Sequence, residues 1–192
     1  MSVALRRPMA LAEFLAWEGR QELRWEFDGY EPVAMTGGTV AHERIGGNLR
    51  ALLHAALRGK PCQVLGPTMK VRVADSIRYP DAFVLCTLVP RDATIVTDPV
   101  VVFEVLSPST SRTDRIEKLR EYQATPSIHR YVILEQDAVA ATVYVRHGTD
   151  WTVQVLLADE TLAMPEIDVS LPLADIYADV ALPPPEDAAA TA

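Results

Sequence analysis

Hydrophobic positions along this chain change period several times, and each change marks an element. Leu11, Phe14 and Leu15 fall at helical spacing shortly after Pro8, predicting a short N-terminal helix. In RWEFDGYEPVAM, Trp25 and Phe27 alternate ahead of Asp28-Gly29, the signature of a small β-hairpin. Ile45, Leu49, Leu52, Leu53 and Ala56 then return to the helical period, predicting a helix with one buried face that Gly59 and Pro61 terminate.

From Cys62 onward the period shortens. CQVLG, MKVRV, YPDAFVL and VVVFEVL are β-branched runs separated by turn residues and read as consecutive strands. SPSTSRTDRIEKLREYQAT carries capping Ser and Thr residues and predicts a helix from about Thr113 to Gln123, with Ile116, Leu119 and Tyr122 facing inward. HRYVILEQD is a further strand, and ATVYVRHG with WTVQVLLA forms a hairpin about Gly148-Thr149-Asp150. A strand, a crossover helix and a returning strand make a right-handed parallel unit, so the expected fold is α/β, a central mixed sheet with helices on its faces. Residues 1–180 are expected to form one domain, and 181–192, ending in PPPEDAAATA, a disordered tail.

Composition narrows the class. The 192 residues are 49% hydrophobic and 23% charged, suited to one globular domain with a substantial core. No apolar run approaches the roughly 20 residues of a membrane span, so no membrane partner is expected. Glu13 interrupts the apolar patch behind Arg6 and Arg7, which reads against a signal peptide. The two cysteines, Cys62 and Cys86, lie in strand-like runs and read as buried thiols of a cytoplasmic protein. The net charge of −8 looks unfavourable for a nucleic-acid partner, yet its distribution changes that inference. No Lys or Arg follows Arg146, whereas the acids from Asp159 to Asp187 lie in the C-terminal segment and leave the body of the chain neutral.

Two carboxylates interrupt the apolar strands. Asp81 follows Pro80 at the head of YPDAFVL, and Glu104 stands inside VVFEVL. Each has an ordinary explanation, a turn residue for Asp81 and a buried arginine pair for Glu104. On neighbouring strands they would converge, and like charges in a dry place need a cation. Oxygen ligands of this kind suit Mg²⁺ or Mn²⁺. Lysine is scarce, with only Lys60, Lys70 and Lys118, so a lysine here reads as specifically required. Lys118 lies on the helix after the Glu104 strand with Asp114 one turn earlier, a spacing that an ordinary i, i+4 ion pair explains equally well.

The motifs YPDAF, FEVLSPST, DRIEKLREY and HRYVILE, preceded by EFDGYEPVAM and AHERIGGNL, resemble the Uma-two family, a former domain of unknown function grouped with the restriction endonucleases. That family falls in the PD-(D/E)xK nuclease superfamily, and the resemblance spans roughly Leu11 to Val145. It implies a restriction-endonuclease-like fold, DNA as partner, and a metal held by Asp81, Glu104 and the carbonyl of Val105. The superfamily's lysine normally lies two residues after the glutamate, a position that Leu106 occupies here. The resemblance therefore points to Lys118 on the next helix, with Lys70 as runner-up. Glu26, His42 and Glu43 match further family positions, with roles in metal contact, water orientation or helix capping left open, and Tyr122 shares the Lys118 face.

His42-Glu43 begins the zinc motif HExxH, but Gly46 stands at its second histidine. With neither GK[ST] nor GxGxxG present, no nucleotide cofactor is expected. A homodimer is expected, because two copies of one site cut both strands of a duplex. The rival expectations are an inactive DNA-binding protein, a hydrolase of another phosphorylated substrate, and a structural dimer in which Glu104 pairs with an arginine.

Overall fold

The computed structural model describes residues 8–35, 37–106 and 113–183, the side chains of Thr113 and Asp114 excepted. Helix α1 (Leu11–Glu18) buries Phe14, which stacks on Phe27 with ring centroids 4.9 Å apart. Phe27 ends β1 (Trp25–Phe27), which pairs with β2 (Pro32–Ala34) as the expected hairpin. Asp28 and Gly29 build the turn. The Asp28 carboxylate accepts from the amides of Tyr30 and Glu31, both at 2.7 Å, and Gly29 takes φ +88°, where a Cβ would be strained.

Helix α2 (Val40–Leu57) starts at Thr39, whose hydroxyl accepts from the His42 amide at 3.1 Å. It buries Ile45, Leu49, Leu53 and Leu57 along one stripe. The strands β3 (Gln63–Leu65), β4 (Lys70–Val73), β5 (Ser76–Arg78), β6 (Ala82–Leu85), β7 (Ile95–Val96) and β8 (Val101–Val105) follow. A π-helical turn, Thr113–Lys118, leads into α3 (Leu119–Ala124), and then come β9 (Arg130–Leu134), β10 (Ala140–His147) and β11 (Asp150–Leu157). The C-terminal unit is β12 (Thr161–Met164), a 3₁₀ turn at Pro165–Ile167, β13 (Val169–Pro172) and α4 (Leu173–Ile176).

Six strands form the central sheet in the order β11-β10-β9-β8-β6-β3. Strands β8 and β9 are parallel, joined by the π-helical turn and α3, while β6 and β8 are antiparallel. The sheet is mixed, as the strand–helix–strand pattern predicts. On one face Ala82, Val84, Val101, Phe103 and Val105 pack against the α2 stripe and the C-terminal unit. On the other, Phe83, Leu85, Val102, Tyr131 and Ile133 meet Val71 and Val73 of a second sheet, order β2-β1-β5-β4-β7, together with Tyr122 of α3. Both faces of β8 are therefore dry, which accounts for its unbroken apolar run.

Two expectations need correction. Cys62 and Cys86 are not free thiols; they form a disulfide. The β3–β6 register pairs Gln63 with Leu85, and one step further sets the cysteines face to face. Ile116 does not face inward but is 44% exposed. The i→i+5 bonding of the π turn adds a residue to that turn, which rotates Ile116 off the stripe that Tyr122 keeps. The acidic C-terminal segment finds cations in the body: Arg130 makes a two-pronged contact with Glu166 at 2.6 and 3.0 Å, and Lys60 meets Asp168 at 2.8 Å. Most of the tail predicted as disordered lies outside the described residues.

Candidate active site

Adjacent strands position the two acids. The β6–β8 register pairs Ala82 with Phe103, and its continuation sets Asp81 alongside Glu104. Asp81 turns its carboxylate along β8, where Oδ2 accepts from the Val105 amide at 2.7 Å. The same oxygen lies 3.3 Å from His42 Nε2, at the start of α2. Arg50, two turns further along α2, donates to the Asp81 carbonyl at 3.1 Å and to Glu43 at 3.0 Å. A Cβ at Gly66 would lie 2.7 Å from Arg50 Cδ, and one at Gly46 would lie 3.0 Å from its guanidinium. Both glycines leave the passage through which Arg50 reaches Asp81.

Glu104 projects to the opposite face from Phe103 and Val105, toward α3 and the second sheet, and is buried. Its Oε1 accepts from Lys118 Nζ and from the Tyr122 hydroxyl, each at 2.9 Å. Lys118 and Tyr122 are four residues apart where the π turn passes into α3, and both point at one carboxylate. Glu26 Oε1 approaches the Lys118 ammonium to 3.4 Å from β1. A lysine thus enters the interior between two acids from different sheets.

The polar network continues behind Glu26. Its Oε2 accepts from Arg78 at 3.0 Å and its Oε1 from the Tyr79 amide at 3.1 Å. Arg78, fully buried, also holds Glu121 of α3 through two bonds of 2.7 Å. Burial alone would raise the Glu26 pKa, but the charges of Lys118 and Arg78 and the Tyr79 amide outweigh it and hold the carboxyl below its ordinary value. Burial, reinforced by the charge on Glu104, pushes the Tyr122 hydroxyl well above its ordinary range, so it stays a proton donor. Arg78, despite its burial, is held firmly charged by Glu121 and Glu26.

Of the residues singled out in the sequence, Asp81, Val105 and His42 gather at the end of β8. Glu104, Lys118, Tyr122 and Glu26 form a second group, toward α3 and the second sheet. Lys70 does not join them, since its ammonium pairs with Glu18 at 2.7 Å on the second sheet. Glu43 is a surface partner of Arg50, and the Asp114 side chain lies outside the described residues. Arg78 and Glu121 were not among the candidates. The signal available was Arg78 inside SIRYP, a charged residue in a short β-prone run.

Among the described residues, no group of three or more His, Cys, Asp or Glu side chains is gathered to hold a metal ion. A cation at this place would rest on the carboxylates of Asp81 and Glu104, completed by a backbone carbonyl and water. That hard-oxygen donor set fits Mg²⁺ or Mn²⁺ and does not fit zinc.

The chain resembles known proteins over most of its length. Residues 11–174 match the model of the Uma2 family, described as "Putative restriction endonuclease". Two uncharacterised proteins of Synechocystis sp. are 31% identical over 173 residues, covering 88% of this chain and 91% of the relative, and 26% identical over 165 residues, covering 83% and 93%. In fold it is similar to a crystal structure from Anabaena variabilis titled as a "putative nuclease belonging to DUF820", with a TM-score of 0.75, 18% identity, and coverage of 88% of this chain and 98% of that one. The α/β architecture is therefore shared with that structure, and the chain belongs to the Uma2 (Uma-two) family.

Proposed function

We propose that this protein is a Mg²⁺- or Mn²⁺-dependent endonuclease of the PD-(D/E)xK type that hydrolyses DNA phosphodiester bonds, with Asp81, Glu104 and Lys118 as its catalytic residues. The observation that carries the reading is the Lys118 ammonium 2.9 Å from Glu104, on the strand beside Asp81, while Leu106 fills the usual lysine position. The lysine's charge arrives from the next helix instead of the same strand.

In this reading Asp81, Glu104 and the Val105 carbonyl hold the cation, which when bound makes a coordinated water nucleophilic near neutral pH and offsets phosphate charge. Lys118 orients the attacking water and stabilises the negative charge that grows on the phosphate oxygens. Glu26 and Tyr122 are positioning residues. Glu26 keeps the ammonium from swinging out of the site, and Tyr122 fixes the rotamer of Glu104 by donating to it. His42 fixes Asp81 in the same sense. Arg44 and Arg120 are exposed and suited to phosphate contact, whereas Arg115 is committed to Glu135 at 2.6 Å.

The test is plasmid nicking by purified protein with Mn²⁺, set against Asp81→Ala with Glu104→Ala. Wild type faster than the double variant supports the reading; equal rates sink it. The same pairing of Glu104 with Lys118 and Tyr122, together with Leu106, favours one alternative, a DNA-binding protein on this fold that has lost turnover. Metal-independent DNA binding without nicking would select it.

A further inference from the structure

Strand β11 is the free margin of the central sheet, since among the described residues no strand pairs with its outer side. Its eight residues, DWTVQVLL, hold no Pro or Lys, and no charge occurs from Trp151 to Ala158. Sheet edges are ordinarily guarded by charges, proline, bulges or brevity, and this one has none of these between its ends. Val153, Val155 and Leu157 are 60%, 59% and 55% exposed, a row of apolar side chains open to water.

The hydrogen-bond phase of the strand shows which backbone groups are on offer. The hairpin closes on His147 and Asp150 around the two-residue turn Gly148-Thr149, so that pair bonds directly and even-numbered residues of β11 bond to β10. Odd-numbered residues point their N–H and C=O outward. Leu157 confirms the phase: its amide donates to Glu160 Oε2 at 2.8 Å and its carbonyl accepts from the Glu160 amide at 3.0 Å. Glu160 closes the edge at that end and leaves Trp151, Val153 and Val155 as the open stretch.

We propose that this stretch of β11 pairs antiparallel with β11 of a second copy of the chain, about a twofold axis through Val153, making one continuous twelve-stranded sheet. Antiparallel pairing bonds outward-facing residues to outward-facing residues, and Val153 opposite Val153 with Trp151 opposite Val155 uses all three in each copy. Displacing the axis loses a pair or drives Leu157, already bonded by Glu160, into the ladder. The same register brings the Asp159-Glu160 turn of one copy to the hairpin end of the other. Val153 and Val155, with their twofold mates, cover the apolar row that is otherwise in water.

The pairing also fixes where the two candidate sites stand. Glu104, Ile133, Thr142 and Val155 form one row across β8, β9, β10 and β11, so they share a face. The twofold axis of an antiparallel pair is perpendicular to the sheet, which leaves both Glu104 side chains on the same side. The two β8 strands lie seven strand spacings apart, about 34 Å, close to one helical turn of a duplex. The interface itself does not depend on the nuclease reading.

Sedimentation equilibrium on the full chain tests it, with Val153→Lys and Val153→Pro as variants and far-UV circular dichroism and thermal melting as controls of fold. Wild type is expected at twice the 21.1 kDa of one chain. Val153→Lys sets two ammonium groups against each other on the axis and raises the dimer dissociation constant at least about tenfold. Val153→Pro removes an outward N–H, so it weakens the dimer while sparing the β10 ladder. If the proline variant fails to fold, the lysine variant decides. A monomeric wild type, or a dimer that a folded Val153→Lys leaves intact, overturns the proposal.

Discussion

Lys118 and Glu104 are separated by 14 residues and two element boundaries, yet their charged atoms meet at 2.9 Å in the protein interior. Such a pair is a poor stabiliser, because both groups lose their hydration and the attraction only returns it. Removing one partner strands the other. Lys118→Met alone is expected to cost about 3–5 kcal/mol of unfolding free energy, and adding Glu104→Gln should recover part of that loss. A double-mutant cycle by urea denaturation checks this; additive, small effects would mean that the two charges do not depend on each other.

Arg78 is the hub behind the site. It binds Glu26 and Glu121 from different elements, and Arg78→Leu leaves two acids without their shared cation. The expected loss is about 3–5 kcal/mol. Glu43 provides the contrast: 74% exposed beside Arg50, its replacement by Ala should change stability by less than about 1 kcal/mol. Similar losses for the two variants would contradict the burial described for Arg78.

Acid should unfold the protein partly through Glu26. Its folded-state pKa lies below the ordinary 4.5 because Lys118 and Arg78 overcome the effect of burial. A carboxyl with a depressed folded pKa contributes its stability in full above the unfolded value and loses it as pH falls through the folded one. The stability gap between wild type and Glu26→Gln should therefore hold from neutrality down to about pH 5 and then narrow. A gap independent of pH below that point would show that the Glu26 pKa is not depressed in the fold.

The disulfide closes a segment with a sequence separation of 24 between Cys62 and Cys86. By the chain-entropy relation its removal costs about 3.5 kcal/mol. Cys62→Ser with Cys86→Ser should melt earlier than oxidised wild type and match wild type in reductant. Identical melting of all three would show that the bond adds nothing.

Much of the fold was legible because local chemistry and tertiary packing agree. The α2 stripe, the Asp28-Gly29 turn and the doubly buried β8 each follow from spacing or a single turn residue. The losses came from pairings that sequence separation conceals. Cys62 and Cys86 meet only through the β3–β6 register, and Arg78 finds its acids 52 residues earlier and 43 later. Ile116 was misplaced because a π turn is invisible to a count based on the α-helical period. At the site, Asp81 and Glu104 stood out as acids in apolar strands and Lys118 was preferred to Lys70, whereas the Lys70 partner, Glu18 of α1, was hidden by a separation of 52 residues.

In the proposed function, catalysis depends on Lys118 doing the work that a lysine at position 106 would do. The direct measurement is the single-turnover rate of Mn²⁺-dependent DNA cleavage by wild type and by Lys118→Met, at a temperature where circular dichroism shows both folded. Loss of one such charge-stabilising donor is expected to slow cleavage by about 10²–10³-fold. A folded Lys118→Met that cleaves at the wild-type rate would contradict the assignment.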